Sequence, residues 1–315
     1  MATRSKWQHL ATEAVNPGSR DIDTLALDEI VDVMVLDNRS VLTAVQREKA
    51  HIARGAGIVA EAVMAGGRLL FAGAGTSGRL GVLEAAELPP TFGIDPSVAQ
   101  AVMAGGAAAV HRAKEGVEDD YDAGQRAMRS LRPSRKDVVI GISASGITPF
   151  VRGAVSRGRA SKARVIGITC DPQSDLKDLA DVAIVLAVGP EVIAGSTRLK
   201  AGTATKIVLN MLTTAAMVRA GKTYGNLMVD VKSNSDKLRD RARRITGTMT
   251  GLDYEAADAL LRRARWNVKA AILMQQIGIT RAIALSRLRE EPRLRKLLGG
   301  RRVKNHVDTR VQLKN

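Results

Sequence analysis

Five short apolar runs, each closed by small or turn-forming residues, constrain this chain more than any other feature: RLLFAGAGTSG, SVAQAVMAGG, DVVIGISASG, ARVIGITCDP and DVAIVLAVGP. Short continuous apolar runs of this kind suit strands buried on both faces. Between them lie segments long enough for helices, such as residues 107–131 and 148–159. Strand and helix in alternation imply an α/β fold, a doubly wound, mainly parallel five-stranded sheet with helices on both faces. Ligands of such sheets bind beyond the carboxyl ends of the strands, so the chemistry is sought there.

The flanking regions are helical. From Thr24 to about Ala65, Leu27, Ile30, Val31 and Met34 recur at spacings of three and four, and the pattern predicts two helices ending at Gly66-Gly67. The same periodicity returns in TGLDYEAADALLRRARWNVKAAILMQQIGIT, which predicts a small C-terminal helical module. The expected division is an N-terminal helical segment 1–58, the sheet domain 59–222, a connecting segment 223–250, the helical module 251–300 and a basic tail 301–315.

Composition narrows the function classes. No run of about 18 apolar residues is present, and MATRSKWQHLATEAVNPGSRD lacks the apolar core of a secretory signal, so a cytoplasmic protein with no membrane partner is expected. One cysteine, Cys170, and four scattered histidines leave no basis for an internal disulfide or a structural metal. The formal net charge of +16 fits an arginine-rich solvated surface or an anionic partner. Aromatic residues make up only 3% of the chain, and the N-terminal region shows no basic recognition helix, which argues against nucleic acid.

Three loops share one chemistry. GAGTSGR (73–79), SASGITP (143–149) and GSTRLKAGT (195–203) each set glycines beside Ser or Thr just before a predicted helix. Glycine lets the backbone approach a ligand closely, hydroxyls donate hydrogen bonds, and a helix N-terminus offers free N–H groups and partial positive charge. Singly, each Ser or Thr reads as an ordinary helix cap. Together the loops describe a site for a phosphate monoester. Gly73 opens a G-x-G-x-x-G match, but no acidic residue closes the second strand to hold a ribose hydroxyl, so no dinucleotide cofactor is expected.

Two groups of carboxylates accompany the loops. Glu84 and Glu87 lie three residues apart on a helix expected to stop at Pro89-Pro90. In its last turn Glu87 would meet the negative end of the helix dipole, which favours a protonated acid if water is screened out; an exposed surface glutamate is the plain alternative. The run KEGVEDDYD holds Glu115, Glu118, Asp119, Asp120 and Asp122, and periodicity does not say which of them turns inward.

GAGTSGRLGVLEAAELPPTFG, AKEGVEDD, SASGITPFV, GSTRLKAGTATKIVLNML and GNLMVDV, in order and preceded by TEAVNPGSRDID, closely resemble the N-acetylmuramic acid 6-phosphate etherases, lyases of the sugar isomerase (SIS) fold. The resemblance covers nearly the whole chain. It implies a cofactor-free enzyme of amino-sugar recycling that cleaves the D-lactyl ether to give N-acetylglucosamine 6-phosphate and D-lactate, by elimination and then hydration. It places the acid on Glu87 and the base on Glu118, and the substrate contacts on Thr76, Ser77, Ser143, Ser145, Thr148 and Ser196. It also implies a homodimer with its active site near the subunit interface, and Lys200 is a candidate for a contact there. One departure is plain: Ile147 stands where the family commonly has arginine. The alternatives on the same fold are a non-catalytic sugar-phosphate-binding regulatory protein and an aldose-ketose isomerase.

Overall fold

The computed structural model describes residues 10–300; the basic tail 301–315 lies outside the described residues. Five parallel strands, β1 (Leu69–Gly73), β2 (Ala99–Met103), β3 (Val138–Ile142), β4 (Arg164–Thr169) and β5 (Val182–Val185), form one sheet in the order β2-β1-β3-β4-β5. All five coincide with the apolar runs, and β1 and β3 are buried along their whole length. That burial follows from helices on both faces. On one face Met128, Phe150, Val151 and Val155 pack on Leu70, Val139 and Val165. On the other, Gly55 leaves room for Leu212 and Ile166, since a Cβ there would lie 2.8 Å from the Leu212 side chain.

The helical N-terminal region is divided differently from the expectation of two helices. It forms three, α1 (Leu27–Asp37), α2 (Arg39–Arg47) and α3 (Lys49–Met64). The break at Asn38 has a local cause, because its side-chain amide donates to Met34 O at 2.7 Å and competes with the backbone ladder. Next, α4 spans Gly75–Phe92, and the helix expected to stop at Pro89-Pro90 continues through both prolines. Neither proline has an N–H to give, so the carbonyls of Ala85 and Ala86 lose their helical donors while the helical path persists. Gly93 N–H closes the end on Pro89 O at 3.0 Å.

The stretch 107–131, long enough for helices, folds as α5 (Ala108–His111), a 3-10 turn Val117–Asp119 and α6 (Tyr121–Ser130). Gly116 sits in the left-handed region at φ 76°, and Asp120 restarts the helix by accepting from Ala123 N at 2.7 Å. Helix α7 (Pro149–Ala160) follows β3, and α8 (Lys200–Arg219) follows β5.

The chain divides into two compact units. The first runs up to Leu88 and resumes over Asp95–Ala216, so it contains the sheet; the second combines Pro89–Ile94 with the chain from Met217 onward. In the second unit α9 (Asp236–Thr250), α10 (Tyr254–Arg263), α11 (Val268–Ile277), α12 (Arg281–Glu290) and α13 (Leu294–Leu297) surround a core that includes Tyr224, Leu261, Ile272 and Leu273. Lys269, 4% exposed, pairs with Asp230 at 2.8 Å, and burial holds its ammonium below the ordinary lysine range. Among the described residues no single helix is long and apolar enough to cross a membrane.

The starts of β1 and β3 are joined by one buried carboxylate. Asp137 accepts from Arg68 N and Nη2 and from Ser134 N, each at 2.8 Å. Burial alone would raise its pKa, but the Arg68 and Ser134 hydrogen bonds outweigh it and hold the group below the ordinary aspartate range. A depressed carboxylate contributes stability that is complete above its unfolded pKa and lost as pH falls through the folded one. Asp137→Ala is therefore expected to cost about 3 kcal/mol in denaturant unfolding at pH 7, and the difference from the parent chain should shrink steadily below pH 4.

Candidate functional site

Sheet order reverses direction between β1 and β3, which opens a crevice at their carboxyl ends. The turn from β1 into α4 fits there only as glycine. A Cβ on Gly73 would lie 2.6 Å from Gly78 N, one on Gly78 would lie 2.7 Å from the Met103 side chain, and Gly75 has φ 53°. The start of α4 therefore hugs the strand end, with Thr76 and Ser77 at the crevice. After β3, Ser143 is 3% exposed and its hydroxyl is fixed by Gly146 N (3.0 Å) and Thr148 Oγ1 (2.8 Å). No side chain caps the N-terminus of α7.

These two loops and the Gly195 loop line one pocket of about 490 Å3, which takes in Thr76, Ser77, Ser143, Ser145, Thr148 and Ser196 together with Glu118. Two helix N-termini and these six hydroxyls converging on one cavity make an anion site. The third helix start differs from the expectation. The buried Glu191 carboxylate accepts from Lys200 N (3.0 Å) and Ala201 N (2.9 Å), so the N-terminus of α8 already holds an anion of its own. Burial pushes the pKa of Glu191 up, against the pull of those two N–H groups. Burial, with the same carboxylate nearby, pushes the Cys170 thiol up to about 12, which makes it an unreactive core group.

Of the carboxylates in KEGVEDDYD, Glu115 lines the pocket along with Glu118, and several further lining residues were not singled out in the sequence: Thr12, Glu13, Arg79, Lys114 and Arg198. Arg79 Nε and Nη2 donate to Val110 O and Ala109 O, both at 2.9 Å, and so pin α5, the element just upstream of Glu118. Thr12 O accepts from Gly195 N at 3.1 Å, which lays the N-terminal 3-10 turn against the third loop. That turn is anchored by Asn16, whose amide donates to Asp37 Oδ1 (3.0 Å) and Pro190 O (3.2 Å). Local signals were thin: TEAVNP carries no helix or strand pattern, and the arginines are unexceptional in so basic a chain.

Four other residues stand apart from the pocket. Ile147 does not line it, and the cationic residues that do are Arg79, Lys114 and Arg198. Lys200 is 3% exposed and bound to Asp37 Oδ1 at 2.7 Å, which removes it as a contact for a second subunit. Glu84 is 5% exposed and accepts from Thr213 Oγ1 at 2.5 Å, with Lys206 Nζ at 3.7 Å, a link between α4 and α8. Glu87 is exposed on α4 and outside the pocket; five residues of helix follow it, so it is not in the last turn, and its environment is open to water.

Sequence comparison identifies the lineage. The chain is 51% identical over 268 residues to the N-acetylmuramic acid 6-phosphate etherase of Salinibacter ruber, covering 85% of this chain and 86% of that protein. It is 50% identical to the Gloeobacter violaceus enzyme of the same name, over 84% and 87% of the two chains. The chain belongs to the N-acetylmuramic acid 6-phosphate etherase family. The models of the glucokinase regulatory protein N-terminal SIS domain and of the SIS domain match residues 51–159 and 106–215, which span the sheet and its loops. A phosphoheptose isomerase from Neisseria gonorrhoeae superposes with a TM-score of 0.48 at 19% identity, over 61% of this chain and 98% of that one.

The loop after β3 offers a direct test of the anion site. Gly146 has φ 73°, and a Cβ on it would fall 1.7 Å from Ser174 Oγ, so Gly146→Ala must displace the Ser143–Thr148 loop. Inorganic phosphate should raise the melting temperature of the parent protein, and that increment should vanish in Gly146→Ala while the baseline melt stays cooperative.

Proposed function

We propose that the etherase reaction of this chain runs in the crevice between β1 and β3, with Glu118 as base and Glu87 of a second subunit as acid. The observation that carries this reading is the convergence of the α4 and α7 N-termini, the loop hydroxyls and one half-buried glutamate, Glu118, on a single pocket. The phosphate of N-acetylmuramic acid 6-phosphate is held by the hydroxyls and helix starts, where no metal or nucleotide is called for. With the sugar ring open, the C1 aldehyde acidifies the proton on C2. Glu118 takes that proton, the C3–O bond breaks, and an acid protonates the departing lactyl oxygen to give D-lactate. Water then adds to C3 of the unsaturated aldehyde and a proton returns to C2, which yields N-acetylglucosamine 6-phosphate.

The acid is the demanding part. Glu87 follows Thr76 by eleven residues on one helix, about 16 Å along its axis. A carboxylate that far down α4 does not serve the pocket at the head of the same helix, whereas its exposure suits a pocket brought up by another copy. A cytoplasmic homodimer whose two sites each draw Glu118 from one chain and Glu87 from the other accounts for both facts.

Purified protein should release D-lactate from N-acetylmuramic acid 6-phosphate without added metal or nucleotide. Glu87→Gln and Glu118→Gln should each lower kcat by at least about a hundredfold with the fold intact. The two variants, unfolded and refolded together in equal amounts, should recover about a quarter of the parent activity, since half the dimers then carry one intact site. No recovery on mixing would return the acid to the same chain, and phosphate binding without lactate release would leave a regulatory protein. In heavy-isotope water the product should carry solvent hydrogen at C2 and solvent oxygen at C3.

A further inference from the structure

The third hydroxyl loop is built differently from the other two. Its backbone amides are already engaged: Gly195 N donates to Thr12 O at 3.1 Å, Ser196 N to Ile193 O at 3.0 Å, Thr197 N to Gly195 O at 3.0 Å and Leu199 N to Ser196 O at 3.2 Å. The head of α8 is filled by Glu191, and the Lys200 ammonium is held by Asp37. What this loop still offers a ligand is side chains, the Ser196 hydroxyl and the Arg198 guanidinium. Arg198 is exposed on the pocket wall, and its guanidinium has no hydrogen bond or ion pair among the described residues, Glu13 included.

The other cations of the pocket have tasks of their own. Arg79 gives Nε and Nη2 to the carbonyls of Val110 and Ala109. Lys114 Nζ donates to Gly105 O at 3.4 Å, from a segment that also brings Glu115 and Glu118 to the wall. The substrate of the proposed reaction has two anionic ends, a phosphate on C6 and the carboxylate of the lactyl group on C3. The phosphate suits the starts of α4 and α7, where N–H groups and hydroxyls converge on a compact oxyanion. A carboxylate is planar, and the fork of a guanidinium meets its two oxygens with two parallel hydrogen bonds.

We propose that Arg198 forms the subsite for the lactyl carboxylate, and is the residue by which this pocket tells a lactyl ether from a plain sugar phosphate. The subsite rests on the etherase reading above and adds a specificity determinant to it. With the phosphate held at the helix starts and the carboxylate held by Arg198, the C3–O bond is fixed from both of its sides while it breaks. Sugar phosphates with a bare C3 hydroxyl leave the guanidinium without its partner and bind less tightly. After cleavage the carboxylate belongs to D-lactate, so the same contact holds that product until it leaves.

Two closed-ring probes test the subsite apart from catalysis, the methyl glycosides of N-acetylmuramic acid 6-phosphate and of N-acetylglucosamine 6-phosphate. Neither can open to the C1 aldehyde, so both are bound without being cleaved, and calorimetry on the full chain reads their affinities. The parent should bind the lactyl probe at least about tenfold more tightly than the plain one. Arg198→Ala should erase that preference and leave the plain probe within about twofold of its parent affinity, while Arg198→Lys keeps part of the preference. Equal losses on both probes would put the guanidinium on the phosphate and overturn the proposal. A parent that binds the probes alike overturns it too, as does a preference that survives Arg198→Ala; its loss in Lys114→Ala would then move the subsite to that residue. Since turnover is not the readout, an Arg198-dependent preference in a protein that releases no lactate leaves the subsite standing without the etherase reading. Lactate release with a preference indifferent to Arg198 leaves the etherase reading standing without the subsite.

Discussion

The close approach of Gly73 to Gly78 is the contact on which the rest depends. Two backbones that would otherwise be separated by side chains meet there, and α4 begins directly at the end of β1. Because β3 is the next strand in the sheet and is parallel to β1, the loop into α7 emerges at the same edge. Two helix starts are thus aimed into one crevice by hydrogen-bond register alone, before any side chain is chosen. The hydroxyls then add direction to an attraction the backbone has already set up.

Much of this was legible from residue order. The five strands read clearly because each is a continuous apolar run closed by turn residues, and the hydroxyl loops because glycine beside Ser or Thr has few other uses at a strand end. Reading failed where the outcome depended on a distant partner. GSTRLKAGT looks like a third anion-binding helix start, yet Glu191, nine residues before Lys200, fills that role from within the chain. Thr12 and Glu13 enter the pocket only through pairing with the Gly195 loop, which no local pattern encodes. The proline pair misled for a different reason: it forfeits two hydrogen bonds without turning the chain, because the helical path is kept by the residues around it.

The two glutamates of α4 show how little spacing decides. Glu84 and Glu87 share a helix and differ by one turn, yet one is buried against Thr213 and the other is open to solvent. Burial alone would nominate Glu84 as the unusual acid. Its hydrogen bond to a threonine of α8 and its nearby lysine give it a structural task instead, and Glu87 is the carboxylate left at the surface.

Asp37 joins elements that are far apart in purpose. Its carboxylate receives Asn16, from the turn whose neighbours Thr12 and Glu13 wall the pocket, and Lys200, the first residue of α8, while its own backbone ends α1. A single half-buried node therefore holds the sugar-phosphate crevice and the outward-facing helix in register. Free energy shared through such a node runs both ways: whatever steadies α1 lowers the cost of ordering the crevice wall, and an occupied crevice returns the same increment to α1. The order of α1 and ligand affinity at the crevice become two readings of one equilibrium.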